Sequence, residues 1–234
     1  SHQTYPHKML TGRKQAYMDP ALYDSVSPYT DPAETPHDLF KIGHTSTSIS
    51  LALGLAKARD IMDGKENIIA VIGDGSMSGG EALEGLNVAG ELNSNFIIVF
   101  NDNQMSIAEN HGGMYDQFAE LRRTNGAAEN NLFKSMGLDY LYVNDGNDIE
   151  ALIAAFEQVK DSTHPVVVHI NTLKGKGYAP AEANKEKWHW HMPFDIQTGQ
   201  SPASGSSESY ASIFAEYALK RAKTDPKFLV LMSA

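Results

Sequence analysis

Two short polar clusters in this sequence could together hold a metal ion and an anion. Asp74 lies in "GDG", directly after one apolar run, and Asn103 lies in "NDN", directly after the next apolar run. If the runs are neighbouring parallel strands, their carboxyl ends meet at one edge of the sheet, where ligands bind. Carboxylate and amide oxygens, together with phosphate oxygens, are ligands that Mg²⁺ prefers. The pair therefore predicts one site for a metal and a diphosphate.

The glycines of the first cluster support an anionic ligand. Gly73 and Gly75 allow the backbone to approach a ligand closely, and a helix opening over residues 76–80 directs free N–H groups towards an anion. Taken singly, "GDG" is more often an ordinary turn and "NDN" an ordinary loop, so the functional interpretation depends on their pairing. No Gly-Lys-Ser/Thr follows, and the three spaced glycines of the dinucleotide fingerprint are absent. A P-loop and that fingerprint are excluded.

The elements that must position these clusters follow from the alternation of apolar runs and helical patterns. It predicts an α/β fold with a mainly parallel sheet flanked by helices. We expect strands near residues 67–75, 95–103, 140–143 and 165–170, and helices near 45–62, 78–92, 117–136 and 148–160. The opening "SHQTYPHKMLTGR" has neither a helix cap nor a strand pattern, and residues 171–200 predict a long ordered loop.

The domain organisation is predicted from composition. Residues 1–198 form the first domain, and residues 199–209, "GQSPASGSSES", have the composition of a linker. Residues 210–234 predict one helix and one strand, which are too few for a domain. We therefore expect them to begin a second domain that this chain lacks. Because the first residue is Ser1 and not methionine, we also expect a piece trimmed upstream.

Composition excludes several classes of function. The chain has 234 residues, a net charge of −10, a pI near 5.3 and no cysteine. The acidic balance argues against a general nucleic-acid binder or a protein of anionic membranes, and the lack of cysteine excludes disulfides and thiolate sites. No signal-peptide pattern or membrane-spanning apolar run is present. We expect a cytoplasmic protein that binds neither nucleic acid nor a membrane.

The paired clusters resemble a known signature. "GDG" followed by 27 residues and then Asn103 resembles the thiamine-diphosphate motif of the transketolase superfamily. The stretches "SHQTYPHKMLTGR", "IGHTSTSIS", "GDGSMSGGEALEGLNVAG", "NDNQMSIAEN" and "KGKGYAPAE" closely resemble the 1-deoxy-D-xylulose-5-phosphate synthase family, in that family's order. The resemblance covers residues 1 to about 180 and the tail. It implies a short-form or truncated member whose first domain is the diphosphate-binding domain of the thiamine-diphosphate-binding fold.

The resemblance also implies roles for individual residues. Mg²⁺ would be bound by the side chains of Asp74 and Asn103 and by the carbonyl of Met105. His2 and His44 would be catalytic, moving protons near the reactive carbon of thiamine diphosphate. The implied contacts to the cofactor are His2, Gly43, His44, Thr45, Gly75, Ser76, Asn103 and Tyr178.

The implied reaction is the condensation of pyruvate with glyceraldehyde 3-phosphate, with loss of CO₂, to give 1-deoxy-D-xylulose 5-phosphate. This product is a precursor of isoprenoids, thiamine and pyridoxal. The cofactor supplies the carbanion chemistry, and the resemblance implies a homodimer. The glutamate that activates the cofactor lies in the family's next domain, so we expect this chain alone to be inactive.

One departure from the family pattern leaves alternatives open. The family usually carries a much longer insertion where only residues 110–130 stand here, so a transketolase-like two-carbon transfer between sugar phosphates remains open. A non-catalytic cofactor-binding subunit is the other alternative. His189 and His191 could suggest a metal pair, although packing or substrate-loop roles are favoured. Lys174 and Lys176 could hold a substrate phosphate or could simply be solvated.

Overall fold

The computed structural model describes residues 4–201 and 208–230, so His2 lies outside the described residues. It divides into two compact units, residues 1–189 and residues 190–234. The first unit contains the sheet and eight α-helices among its described residues, and the second contains one α-helix within residues 190–201 and 208–230. In the described part of the chain no helix is long and apolar enough to cross a membrane.

A four-stranded parallel sheet forms the centre of the first unit. The strands are β1 (Ile69–Gly73), β2 (Phe96–Asp102), β3 (Asp139–Val143) and β4 (Pro165–Asn171), in the spatial order β1-β2-β4-β3. All three pairings are parallel, which confirms the expected fold class. The register pairs Gly73 with Asn101 and Asp102 with Asn171, so the carboxyl ends of three strands lie side by side.

Helices cover both faces of this sheet. The first unit contains α1 (Thr4–Lys8), α2 (Ser48–Ile61), α3 (Asp74–Met77), α4 (Gly80–Ala89), α5 (Gly113–Arg123), α6 (Leu132–Ser135), α7 (Ile149–Val159) and α8 (Ala179–Ala183). The second unit, described by itself, contains α9 (Tyr210–Thr224). The larger core joins Ile98 and Phe100 of β2 to residues of α2, α4, α5 and α6. The smaller core joins Ile97 and Val99 to α7, because successive strand residues face opposite sides.

One helix expected from the sequence forms as a single helix and another is divided. The helix expected over residues 78–92 is present as α4, and a separate short helix that the sequence did not predict, α3, precedes it; the extended backbone of Gly79 (φ −71°, ψ 139°) lies between the two. The helix expected over residues 117–136 is interrupted after Arg123, where Asn125 and Gly126 have positive φ angles of 49° and 80°. Positive φ is incompatible with a continuing right-handed helix, so the apolar pattern over residues 117–136 ran across a turn.

The opening segment, in which the sequence shows neither a helix cap nor a strand pattern, folds into short helical turns. After α1 the chain kinks within Met9–Arg13, where Gly12 has a φ of 94°, and 3₁₀ turns follow at Lys14–Tyr17 and Pro20–Leu22. Tertiary ion pairs hold this segment, and such contacts leave no periodic signal in a sequence. In the tail, α9 forms as expected. The strand expected after it falls partly on residues 231–234, outside the described residues, and stays a prediction; the described residues 225–230 contain no strand.

Candidate metal and cofactor site

The two clusters converge at the carboxyl edge of the sheet. Asp74, the first residue of α3, is only 2% exposed, and its carboxyl faces both the backbone N–H of Gln104 and the carboxyl of Asp102. A Cβ added to Gly75 would lie 2.6 Å from the Cβ of Ser106, so the loop after β2 packs directly on the first turn. The glycine is therefore required by close packing between the two clusters.

Asp74 is held by amide donors. Its Oδ1 accepts a hydrogen bond from the Gly75 N–H at 2.9 Å, and its Oδ2 accepts one from Asn110 Nδ2 at 3.0 Å. Burial, with the nearby Asp102 carboxylate, raises the pKa of Asp74 to about 7. Within the described ranges Asp74 forms no salt bridge. A cation beside this carboxylate would offset the cost of burying its charge.

Asn103 and Met105 belong to one tight turn after β2. The Asn103 side-chain Oδ1 accepts a hydrogen bond from the Met105 N–H at 3.1 Å, and Gln104 between them has a positive φ of 70°. Met105 also pairs with Glu109 in an isolated β-bridge, which folds the loop back on itself. The structure thus brings this turn to Asp74, as the spacing of the clusters suggested.

A cavity of about 810 Å³ opens beside this turn. It is lined by residues that include Asn103, Met105, Asn110, His111, Tyr115 and Arg122. Carboxylates of Glu109, Asp116, Glu182 and Glu186 also face it. Among the described residues, however, His, Asp and Glu nowhere form a group of three that could hold a metal. The predicted set differs from such a group because it uses one carboxylate, one amide and one backbone carbonyl.

A smaller cavity of about 270 Å³ opens at the first turn. His44, Thr45, Gly73 and Ser76 line it, so four residues from the two predicted cofactor loops share one pocket. His7 also lines this cavity, and its Nε2 lies 2.7 Å from the buried carboxyl of Asp38. Gly73, which precedes Asp74, lines this cavity, and Asn110, which donates to Asp74, lines the larger one.

Other predicted site residues lie outside both linings. Gly43 packs against the ring of Tyr29, where an added Cβ would approach to 2.8 Å. Tyr178 precedes α8, and its ring meets that of Trp188 edge-on at 5.1 Å. The structure therefore does not bring Gly43 or Tyr178 into the pocket with His44.

Lys174 connects two loops of the same edge. Its Nζ donates a hydrogen bond to the carbonyl of Ser106 and lies 2.9 Å from His189 Nδ1, and burial lowers its pKa. His191 belongs to the second unit, where its Nδ1 lies 2.9 Å from the carbonyl oxygen of Met192. Trp188 lies in a turn and His189 in a bend, within the range where a long loop was expected.

Several residues of the site had no role assigned from the sequence. Asp102, in the middle of "NDN", is fully buried and forms an ion pair with Arg122. His169 Nε2 lies 3.0 Å from the same carboxyl. Burial alone would raise the pKa of Asp102, but His169 and Arg122 more than offset it and the pKa is lowered. A sequence signal existed, because His169 is the only polar residue inside the apolar run "VVVHI".

Comparison with known proteins gives the chain a family. The family model described as 1-deoxy-D-xylulose-5-phosphate synthase matches residues 1–130 and 124–172. This chain belongs to that family. A 1-deoxy-D-xylulose-5-phosphate synthase of Desulfitobacterium hafniense (strain DCB-2) is 39% identical over 269 aligned positions, covering 100% of this chain and 43% of the relative. For 1-deoxy-D-xylulose-5-phosphate synthase 1 of Geobacter sulfurreducens, identity is 38%, with 100% and 42% covered.

The chain is shorter than its relatives in two ways. The chain spans about two-fifths of the length of these relatives. The alignment has 269 positions for a chain of 234 residues, so the relatives carry residues that this chain lacks. Among solved structures, transketolase from Leishmania mexicana matches with a TM-score of 0.45 and 22% identity, over 59% of this chain and 21% of that chain.

Proposed function

We propose that this chain is the Mg²⁺- and diphosphate-binding part of a thiamine-diphosphate-dependent synthase. The complete enzyme would condense pyruvate with glyceraldehyde 3-phosphate, release CO₂ and form 1-deoxy-D-xylulose 5-phosphate. Family membership supports the reaction. The observation that carries the assignment of the site is the buried Asp74 carboxyl, which lies against the turn that presents Asn103 and Met105.

The donor set fits a small hard cation. Asp74 offers a carboxylate, Asn103 an amide oxygen and Met105 a backbone carbonyl, and Mg²⁺ commonly takes a few protein oxygens and completes its shell with phosphate oxygens and water. Two neighbouring buried carboxyls, Asp74 and Asp102, also favour a positive charge here, since Arg122 is ion-paired with only one of them. We therefore assign the metal to Asp74, Asn103 and Met105.

The smaller cavity is the proposed place for the rest of the cofactor. His44, Thr45 and Ser76 line it and offer an imidazole and two hydroxyls, while Gly75 adjoins it at the start of α3. When bound, thiamine diphosphate would supply the carbanion chemistry. His44 would hold or accept a proton there, and His2, outside the described residues, is proposed for a similar role. Gly43 and Tyr178 remain proposed contacts on the family resemblance alone.

Loss of the Asp74 carboxylate tests the site directly. We expect Asp74→Ala to abolish measurable binding of Mg²⁺ with thiamine diphosphate in isothermal titration calorimetry, because the charged ligand is removed. Asp161→Ala is the matched control, since Asp161 is an exposed aspartate beyond the end of α7. Unchanged binding by the Asp74 variant would mean that the metal lies elsewhere.

The reaction itself requires an assay with the full-length parent. Pyruvate decarboxylation that depends on glyceraldehyde 3-phosphate supports the proposed synthase. Activity only with ketose donors would favour the transketolase-like two-carbon transfer, and cofactor binding without either activity would favour a non-catalytic subunit.

By resemblance, we also propose that the enzyme is homodimeric and cytoplasmic. We propose three parts for this chain: a domain over residues 1–198, a linker over 199–209 and the start of a pyrimidine-binding domain over 210–234. The chain by itself is expected to be inactive.

A further inference from the structure

A histidine is buried in the middle of the sheet, directly behind the proposed metal-binding turn. His169 of β4 is 0% exposed, and its side chain lies among aromatic rings on the face of the larger core. Its ring centroid is 4.7 Å from that of Phe100 and 5.0 Å from that of Tyr142. An imidazole in such surroundings must have both nitrogens hydrogen-bonded, because an unpaired buried polar atom is costly.

Both nitrogens of His169 have partners. Nε2 lies 3.0 Å from Asp102 Oδ2, and Nδ1 lies 2.7 Å from the Tyr140 hydroxyl. Since a carboxylate can only accept, Nε2 carries the proton and donates to Asp102. Burial lowers the pKa of His169, so the ring is neutral at pH 7 and Nδ1 accepts from the Tyr140 O–H. The hydrogen bonds therefore run in one direction, from Tyr140 through His169 to Asp102.

Asp102 links these hydrogen bonds to the turn after β2. Its Oδ1 accepts a hydrogen bond from the Gln104 N–H at 3.1 Å, and its backbone carbonyl accepts one from the Thr172 N–H at 2.9 Å. The Gln104 bond lies between Asn103 and Met105, which are the proposed metal ligands. The Asp102 side chain thus bonds to the backbone between those two ligands.

We infer that His169 is a positioning residue for the metal-binding turn, acting through the Asp102 carboxylate on the Gln104 backbone. The inference rests on the proposed function for the identity of the ligand that the turn holds. Arg122 also pairs with Asp102, but it comes from α5 and lies partly exposed on the wall of the larger cavity. His169 is the rigid partner, because its strand and the surrounding rings fix its position.

Substitutions at His169 separate positioning from packing. His169→Phe keeps an aromatic ring but removes both hydrogen bonds, whereas His169→Gln keeps an N–H donor near the position of Nε2. His164→Phe is the matched control, because His164 is exposed and precedes the other end of the same strand. Each variant is titrated with Mg²⁺ and thiamine diphosphate in the calorimeter, and its urea midpoint is measured in parallel.

We expect His169→Phe to weaken cofactor affinity by about 10-fold or more, as is usual when a residue that orients metal ligands is lost. His169→Gln should restore most of that affinity, and His164→Phe should leave it unchanged. A purely structural role predicts a different result, in which urea midpoints fall for both His169 variants while the affinity of the folded protein stays constant. That result would overturn the inference and leave the proposed function intact.

Amide hydrogen exchange keeps the two proposals distinguishable. If the unchanged chain binds no Mg²⁺ or thiamine diphosphate, the proposed function fails. The positioning of the turn is then judged by exchange at Gln104 and Met105. Faster exchange there in His169→Phe, with unchanged exchange in β1, supports positioning of the turn, and equal exchange in both proteins overturns it.

Discussion

At the scale of single residues, a cluster of charges holds the opening segment of the chain. The buried Asp38 carboxyl accepts hydrogen bonds from Arg13 at 2.6 and 2.8 Å and from the Asp31 N–H at 2.8 Å. Lys8 is completely buried and pairs with Glu34 at 2.7 Å. These bonds order the segment that carries His7 to the smaller cavity, so the cluster is coupled to the proposed cofactor pocket.

The Asp38 interaction predicts a dependence of stability on pH. Its hydrogen bonds with Arg13 hold the pKa of Asp38 well below its ordinary value, so its stabilisation is fully present above the unfolded pKa of about 3.9 and is lost as pH falls through the lower folded pKa. We expect Asp38→Asn to lower the free energy of unfolding by about 2 kcal/mol at pH 7, with a smaller difference below pH 4. Urea unfolding at both pH values measures it.

A matched control isolates the charge of Asp38. Asp24→Asn makes the same change at an exposed position in the same segment and should alter stability at neither pH. If the loss caused by Asp38→Asn were as large at pH 3 as at pH 7, the side chain would contribute through shape rather than charge.

Part of the site could be predicted from residue types, but the residues that bind its buried carboxyls could not. Asp74 and Asn103 could be proposed as partners because glycine, acid and amide clusters follow apolar runs. Asn110, which donates to Asp74, and Arg122, which pairs with Asp102, come from a loop and a helix whose folding onto the sheet edge has no local signature. His169 had a signal in its apolar surroundings, but its partners became visible only in three dimensions.

At the scale of elements, α7 allows a direct test of helix N-capping. Asp148 precedes the helix and its Oδ1 accepts hydrogen bonds from the N–H groups of Glu150, at 2.9 Å, and Ala151, at 3.4 Å. We expect Asp148→Ala to lower the free energy of unfolding by about 1 kcal/mol, because these N–H groups lose their acceptor. Asp148→Asn should cost little, and exposed Asp145 provides the matched Asp→Ala control in urea unfolding. Equal losses in both Asp148 variants would contradict capping.

Strands were easier to predict than helix boundaries. All four expected strands form. β2 and β4 are nearly continuous in Val, Ile and Phe and are buried along most of their length, whereas β1 alternates between buried and exposed residues and β3 is only partly buried. The turn at Gly126 was missed, since glycine also occurs inside helices and only the backbone angles reveal its use. Gly126 is also buried against Tyr142, where an added Cβ would come within 2.5 Å of the tyrosine Cβ. Packing, not local propensity, fixes that turn.

At the scale of the whole molecule, the alternation of strands and helices was enough for the fold class. The division into compact units is a property of contacts, and it falls between residues 189 and 190, before the expected linker at 199–209. The expected domain boundary at residue 198 stays a prediction. Composition marks where a chain is polar, whereas a compact unit ends where its packing ends.

The exposure of α9 predicts how the chain responds to protease. None of the 15 residues of α9 is buried, so its stability comes from the Ser209 capping box and its own sequence rather than from a core. We expect trypsin to cleave first at Lys220, Arg221 or Lys223, before Arg59, which is buried in α2. Mass spectrometry of timed digests would show the order. If α9 resists trypsin as well as α2 does, another surface, such as a second copy of the chain, covers it in solution. A chain ending at residue 198 should retain the affinity for Mg²⁺ and thiamine diphosphate.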